Sequence, residues 1–158
     1  MEQFNSNNNC RNRMDDCRRF EEIRPIDYGP EPFVENISCM ALKNENFRVS
    51  LWTGSCLQMT LMSIPVKGEI GVEMHSDTDQ FLRVEEGSGM VYMGSCKERL
   101  NQRNNINKNT GIFVPAGTWH NIINTGRYPL KLTSIYAPIK HPRGTVHRTK
   151  EEADAAEY

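Results

Sequence analysis

Apolar and polar residues alternate through most of this chain, and the period decides the elements. Phe47, Val49 and Leu51 alternate with Arg48, Ser50 and Trp52, which predicts a strand with Arg48 exposed opposite the apolar face. The run 57–64 follows Thr53-Gly-Ser, a turn signal, and reads as a second strand. Further β segments are predicted over residues 70–75, 81–86, 89–93, 111–114, 118–123 and 130–137, so that from residue 37 onward the chain reads as short strands. Ahead of them, residues 1–12 are Asn-rich and predicted disordered. Met14, Cys17, Phe20 and Ile23 recur at every third position and predict a short helix over about 13–22. Pro25, Pro30 and Pro32 then impose an extended lead-in. At the other end, Thr149-Lys-Glu-Glu152 has the form of a capping box and predicts a helix running to about Ala156.

Many short strands separated by Gly, Pro and Asn turns give an all-β class, an antiparallel sandwich or closed barrel of six to ten strands. The segment 97–108 is the one polar interruption. It carries four basic residues against one acidic and reads as a solvated loop, with phosphate grasping as the sharper alternative. The domain organisation that follows is an N-terminal extension over 1–26, a barrel over 27–140 and a tail with a short helix over 141–158.

Composition narrows the function classes. A chain of 158 residues can bury one barrel core and has no room for a second. Its formal net charge of −1 gives no general steering towards nucleic acid or an anionic membrane. No run is apolar enough for a spanning helix, and the N-terminus has no signal-peptide core, so a cytoplasmic location is expected. The five cysteines, Cys10, Cys17, Cys39, Cys56 and Cys96, are an odd number without a CxxC pair and are expected to be reduced thiols.

The candidate chemistry sits in two places. Glu73 and His75 are two apart and point to the same face of a strand, and Gln80 can return to that face on the next one. About forty residues later His120 follows a Pro115-Ala-Gly117 turn. Two nitrogen and two oxygen donors from separate β segments suit a metal ion held inside a small barrel. Leu130, Leu132 and Tyr136 share one parity on the last strand, which brings the Tyr136 phenol to a barrel opening as a candidate general acid or base. Trp119 points away from the His120 face, and His141 and His147 fall in a tail packed over the surface, with a lid role as the alternative.

These residues resemble the two motifs of the cupin superfamily, G-x5-H-x-H-x3,4-E-x6-G and G-x5-P-x-G-x2-H-x3-N. Glu73 stands at the first His, His75 at the second, Gln80 at the Glu and Gly87 at the closing Gly. Pro115, Gly117, His120 and Asn124 match the second motif. Lys67 and Asn109 occupy the two opening glycine positions. From about Asp27 to Ala155 the chain looks like small single-domain cupins described as mannose-6-phosphate-isomerase-like, in stretches such as 52–54, 57–62 and 141–147. The resemblance implies a jelly-roll barrel, one divalent metal ion (Zn, Mn, Fe, Ni or Co) on Glu73, His75, Gln80 and His120, and a homodimer.

Three functions fit that reading. The favoured one is metal-dependent, isomerase-like chemistry on a small polar ligand such as a sugar or sugar phosphate. The second is an iron-dependent dioxygenase, because two His and a carboxylate are the ligand type of non-haem iron oxygenases. The third is a binding or sensor module without turnover. In each the partner is a small molecule, with neither nucleic acid nor membrane.

Overall fold

The computed structural model describes Cys17 and residues 23–156. The expected disorder over 1–12, nearly all of the expected helix over 13–22 and the Cys10 thiol lie outside the described residues. No described helix is long and apolar enough to cross a membrane.

In chain order the elements are α1 (Ile37–Lys43), β1 (Arg48–Thr53), β2 (Gln58–Ile64), β3 (Asp79–Glu86), β4 (Ser88–Gly94), β5 (Gln102–Asn107), β6 (Gly111–Val114), β7 (Trp119–Asn124), β8 (Leu130–Ala137), β9 (Val146–His147) and α2 (Lys150–Ala155). A six-stranded sheet runs β6-β3-β8-β2-β1-β9 and a three-stranded sheet runs β5-β4-β7. Every strand pairing is antiparallel. The core lies between the sheets, where Met62, Leu82 and Leu132 of the larger meet Val91, Ile106 and Ile122 of the smaller. Burying each such side chain contributes about 1.5–3 kcal/mol. This is the jelly-roll architecture of an antiparallel two-sheet barrel.

Register shows which residues face inward. Arg48 lies opposite Met62 and Ser50 opposite Thr60. Met62 in turn lies opposite Leu132, and Gln80 opposite Tyr136. Directly opposed residues share a face. The inner face therefore includes Arg48, contrary to the expectation that it is solvent-exposed; only 6% of its surface is accessible. Leu51 and Leu61 pack on the other side of the sheet against Met40 and Ala41 of α1 and against Tyr28, Phe33 and Ile37. Both faces of β1 are covered, so its apolar alternation marks the outer contact.

Four further expectations change. Residues 37–43 form a helix rather than a strand: Asn36 caps it by accepting from the Cys39 N–H at 3.0 Å, and Ser38 Oγ donates to the buried Glu85 carboxylate on the sheet. The polar stretch 97–108 contains β5, whose one buried residue is Ile106, too little apolar content to show a period. Residues 70–75 meet β7 through the single Glu73–His120 bridge instead of forming a strand, because Gly71 adopts φ +98° and directs its N–H to Asn121 Oδ1. Finally, Cys17 and Cys39 form a disulfide that ties the N-terminal segment to α1. Cys56 and Cys96 are free thiols. With two of its cysteines paired, the chain's thiols do not indicate a reducing compartment.

The proline-rich lead-in lies along its own barrel. Tyr28 N–H donates to Leu51 O, and Asp27 accepts from the N–H groups of Gly29, Thr53 and Gly144 at 2.9–3.1 Å. At the C-terminus, Thr149 Oγ1 accepts from Glu152 N–H at 3.3 Å. Glu152 reaches back to Arg148 N–H at 2.7 Å, one residue earlier than a standard capping box.

Candidate metal centre

The backbone brings the two sequence segments together directly. Glu73 and His120 exchange both backbone hydrogen bonds, at 3.0 and 2.9 Å, and so lie opposite each other. The Gly117 N–H donates to the His75 carbonyl at 2.7 Å, and Gly117 holds φ +80°, a conformation suited to glycine. Asp79 accepts from the Ala116 N–H at 2.8 Å. The Pro-x-Gly turn thus fixes where His75 sits as well as where His120 begins.

Glu73, His75 and His120 present donor atoms that all lie within 4.8 Å of one another. Glu73 Oε1 is 3.5 Å from His75 Nε2 and 3.3 Å from His120 Nε2. All three atoms are buried and make no protein hydrogen bond. His120 Nδ1 is 3.0 Å from the Thr118 carbonyl, which assigns the ring proton to Nδ1 and leaves an Nε2 lone pair facing the cluster. Burial alone would raise the Glu73 carboxyl; the His120 and His75 imidazoles more than offset it and hold the group well below the usual carboxylate range. An ionised carboxylate with two imidazoles, each with an uncommitted buried donor, fits a divalent cation.

Gln80 lies on the inner face of β3, with Nε2 donating to Ser134 Oγ at 2.9 Å and a buried Oε1 that has no partner. Tyr136 is fully buried with its ring 5.8 Å from that of His75, and its hydroxyl makes no hydrogen bond. Burial raises the Tyr136 phenol above its ordinary range and keeps it protonated, although the Arg48 charge pulls the other way. The His141 ring packs edge-on at 5.0 Å from Tyr136. Both His141 and His147 are buried, at 7% and 6%, rather than spread over the surface. Trp119 is half-buried. Asn124 is structural: its Nδ2 bonds the Ile64 and Tyr128 carbonyls, closing the turn after β7.

A cavity of about 370 Å³ opens onto Glu73 and His75. Arg48, Lys140 and His141 line it together with Lys150, Ala153 and Asp154 of α2. Larger clefts of about 510 and 560 Å³ touch none of the donor residues, so volume alone does not mark the chemistry. Sequence reasoning missed Arg48 and His141 as interior groups. A usable signal for Arg48 was Asn36 followed by Ile37-Ser-Cys-Met-Ala, a capped helix able to cover the Leu51 side of β1.

Residues 60–136 match the cupin domain model. The protein YrkC of Bacillus subtilis is 56% identical over 131 residues, which cover 83% of this chain and 70% of that one. A protein of Acanthamoeba polyphaga mimivirus is 36% identical over 115 residues, covering 72% of this chain and 70% of its own length. The crystal structure of BH2720 from Bacillus halodurans is similar at 55% identity with a TM-score of 0.82, covering 83% of this chain and 99% of that one. Sequence, fold and the paired site segments agree: the chain belongs to the cupin family.

Proposed function

We propose that this cupin binds one divalent metal ion through Glu73, His75 and His120, with Gln80 as a fourth donor, and acts on a small polar ligand admitted beside α2. The observation that carries the proposal is the convergence of three buried donor atoms, none with a hydrogen-bond partner in the protein. A bound cation stabilises an arrangement that is otherwise costly to bury.

The favoured chemistry is isomerase-like, of the mannose-6-phosphate-isomerase kind, on a sugar or sugar phosphate. A divalent ion at this position supplies Lewis-acid polarisation of a carbonyl oxygen. The protein residues supply the rest. Tyr136, protonated and within ring contact of His75, holds a proton that it can donate to a developing oxyanion. Ser134 fixes the Gln80 amide, so that its oxygen is the atom left for the site. The donor set of two His and one carboxylate favours a second reading, an iron-dependent dioxygenase. A module that binds without turnover is the third.

Elemental analysis of tag-free protein tests the centre. One zinc or manganese per chain supports the first reading, and iron with oxygen consumption the second. His75→Ala with His120→Ala abolishes stoichiometric metal, Glu73→Ala loses metal in a barrel that still folds, and Gln80→Ala weakens binding less. Wild-type metal content in the double histidine variant would show that the cluster is not a metal centre. We also propose a homodimer through the outer face beside β6, where Phe113 is 75% exposed and packs at a tilt against Phe81, ring centroids 4.7 Å apart. Light scattering at the mass of one chain at high micromolar concentration would refute it.

A further inference from the structure

Arg48 is a buried charged side chain of the interior that the metal centre leaves unexplained. The guanidinium remains charged at any ordinary pH, and burying a charge without a counter-ion costs several kcal/mol. Yet Arg48 is 6% exposed and its Nε makes no hydrogen bond. Among the described residues no carboxylate lies within ion-pair distance of it; the pairs that form are Glu73 with His75 and His120, Arg83 with Glu85, Lys108 with Glu86 and Lys150 with Asp154. The side chain is held on the inner face by strands on both sides, opposite Met62 of β2 and His147 of β9. Its guanidinium carbon lies 5.6 Å from the Phe47 ring centroid, a contact that orients the group and supplies no negative charge.

The group is also in the right place to meet a ligand. Arg48 lines the same cavity as Glu73 and His75. The other charged groups there are Lys140, Lys150 and Asp154, and Asp154 is committed to Lys150 at 2.6 Å. Glu73 is the remaining carboxylate of the lining, and in the reading above it serves the metal. The balance of the wall is positive, and a divalent ion adds to it. A cavity of about 370 Å³ is at the small end of ligand sites.

We propose that Arg48 is the oxyanion-holding residue of this cavity: the ligand is a small carboxylic acid or phosphate ester whose charged group seats on the Arg48 guanidinium while an adjacent hydroxyl or carbonyl oxygen faces Glu73 and His75. The placement of that second oxygen rests on the metal-centre reading; the seating of the anion rests on Arg48 alone. The planar guanidinium fork matches carboxylate and phosphate oxygens in a bidentate manner, which a lysine in the same place does not. A neutral sugar gains nothing from this residue.

The test is calorimetric titration of glycolate, glycerol 3-phosphate and uncharged glycerol into wild type, Arg48→Gln and Arg48→Lys, each metal-loaded and metal-free, with metal content measured on the same samples. Wild type binds at least one of the two anions, and Arg48→Gln binds it at least tenfold more weakly. Arg48→Lys recovers part of the loss, and glycerol does not discriminate. Which anion binds more tightly identifies the charged group. A rise in the wild-type melting temperature with saturating anion, absent with glycerol, reads the same interaction without any variant. Anion affinity unchanged in Arg48→Gln, or no anion effect on wild type in either assay, overturns the proposal even where the protein carries its metal. Conversely, Arg48-dependent anion binding in a protein that takes up no metal supports the Arg48 assignment and removes the metal centre.

Discussion

The two ends of the barrel interior are built from the same strands and differ in what they ask of them. Along β8 the inner positions run Leu130, Leu132, Ser134, Tyr136, and along β2 they run Ile64, Met62, Thr60, Gln58. In β3 they run Val84, Leu82, Gln80. One end is an apolar core, while at the other Thr60, Gln80 and Tyr136 carry buried polar atoms without partners; Arg48, whose backbone lies level with Met62, adds a buried charge that lines the same cavity as Glu73 and His75. Close packing stabilises the first end, whereas the second is costly to fold, a cost that the proposed ligand would offset. Stability and chemistry are therefore separated along each strand, a few residues apart.

The sharpest way to break this comparison is to make one substitution at each end. Leu132→Ala, at a fully buried core position, lowers unfolding free energy by about 2–5 kcal/mol and leaves metal content unchanged. Arg48→Met, which replaces an unpaired buried charge with an apolar chain of similar length, raises the stability of ligand-free protein by about 1–3 kcal/mol. Denaturant unfolding of both variants measures the pair. If Arg48→Met destabilises as Leu132→Ala does, the two ends are energetically alike and the comparison fails.

Acid sharpens the same contrast. The His141 imidazole is held down to about 3, by burial first and then by the Arg48 charge, with smaller effects from Glu73, which opposes the shift, and from His75 and His147. An unfolded imidazole titrates near 6.5. A folded-state value below the unfolded one makes the neutral ring's contribution complete above pH about 6.5, and it is lost as pH falls towards 3. Melting temperature against pH in metal-free protein should thus fall through that window, and His141→Gln should flatten the fall. Equal slopes in the two proteins would place the acid sensitivity elsewhere.

The smallest effect lies outside the interior. Lys67 and Asn109 are the non-glycine residues with positive φ among the described ones, at +65° and +72°, and they stand at the two positions where the cupin motifs open with glycine. Both turns hold the left-handed backbone without a glycine. Asparagine tolerates this conformation and lysine does so less well. Lys67→Gly should raise stability by about 1 kcal/mol, Asn109→Gly by less, and neither should alter metal content. Thermal unfolding that shows a loss for Lys67→Gly would mean the lysine side chain contributes more than its backbone costs.

These cases show what could be read in advance. The strands β2, β3, β4 and β8 were legible because period-two alternation and turn residues agreed, and the Glu73, His75 and His120 grouping was legible because parity and motif spacing agreed. Arg48 was misread because alternation cannot say which of two covered faces is the barrel interior. Helix α1 was missed because seven residues give barely two turns of periodic signal, and β5 because its polar side chains have no core to face. The Cys17–Cys39 bond joins segments whose approach depends on the tertiary fold, so spacing gave no warning of it.

The Asp27 carboxylate, finally, bears on the order in which the molecule assembles. It accepts from backbone N–H groups at Gly29, Thr53 and Gly144, partners up to 117 residues away. Contacts closing so long a stretch of chain come late, after the sheets that bring the ends together. Interactions absent from the folding transition state govern how fast a protein opens and leave its rate of formation untouched. Asp27→Ala should accordingly raise only the unfolding rate, refolding at the wild-type rate and opening several-fold faster. A slowed refolding limb would instead place this clasp in the nucleus. As a late clasp, Asp27 sets how long a correctly folded barrel lasts, and the strands alone decide whether it forms.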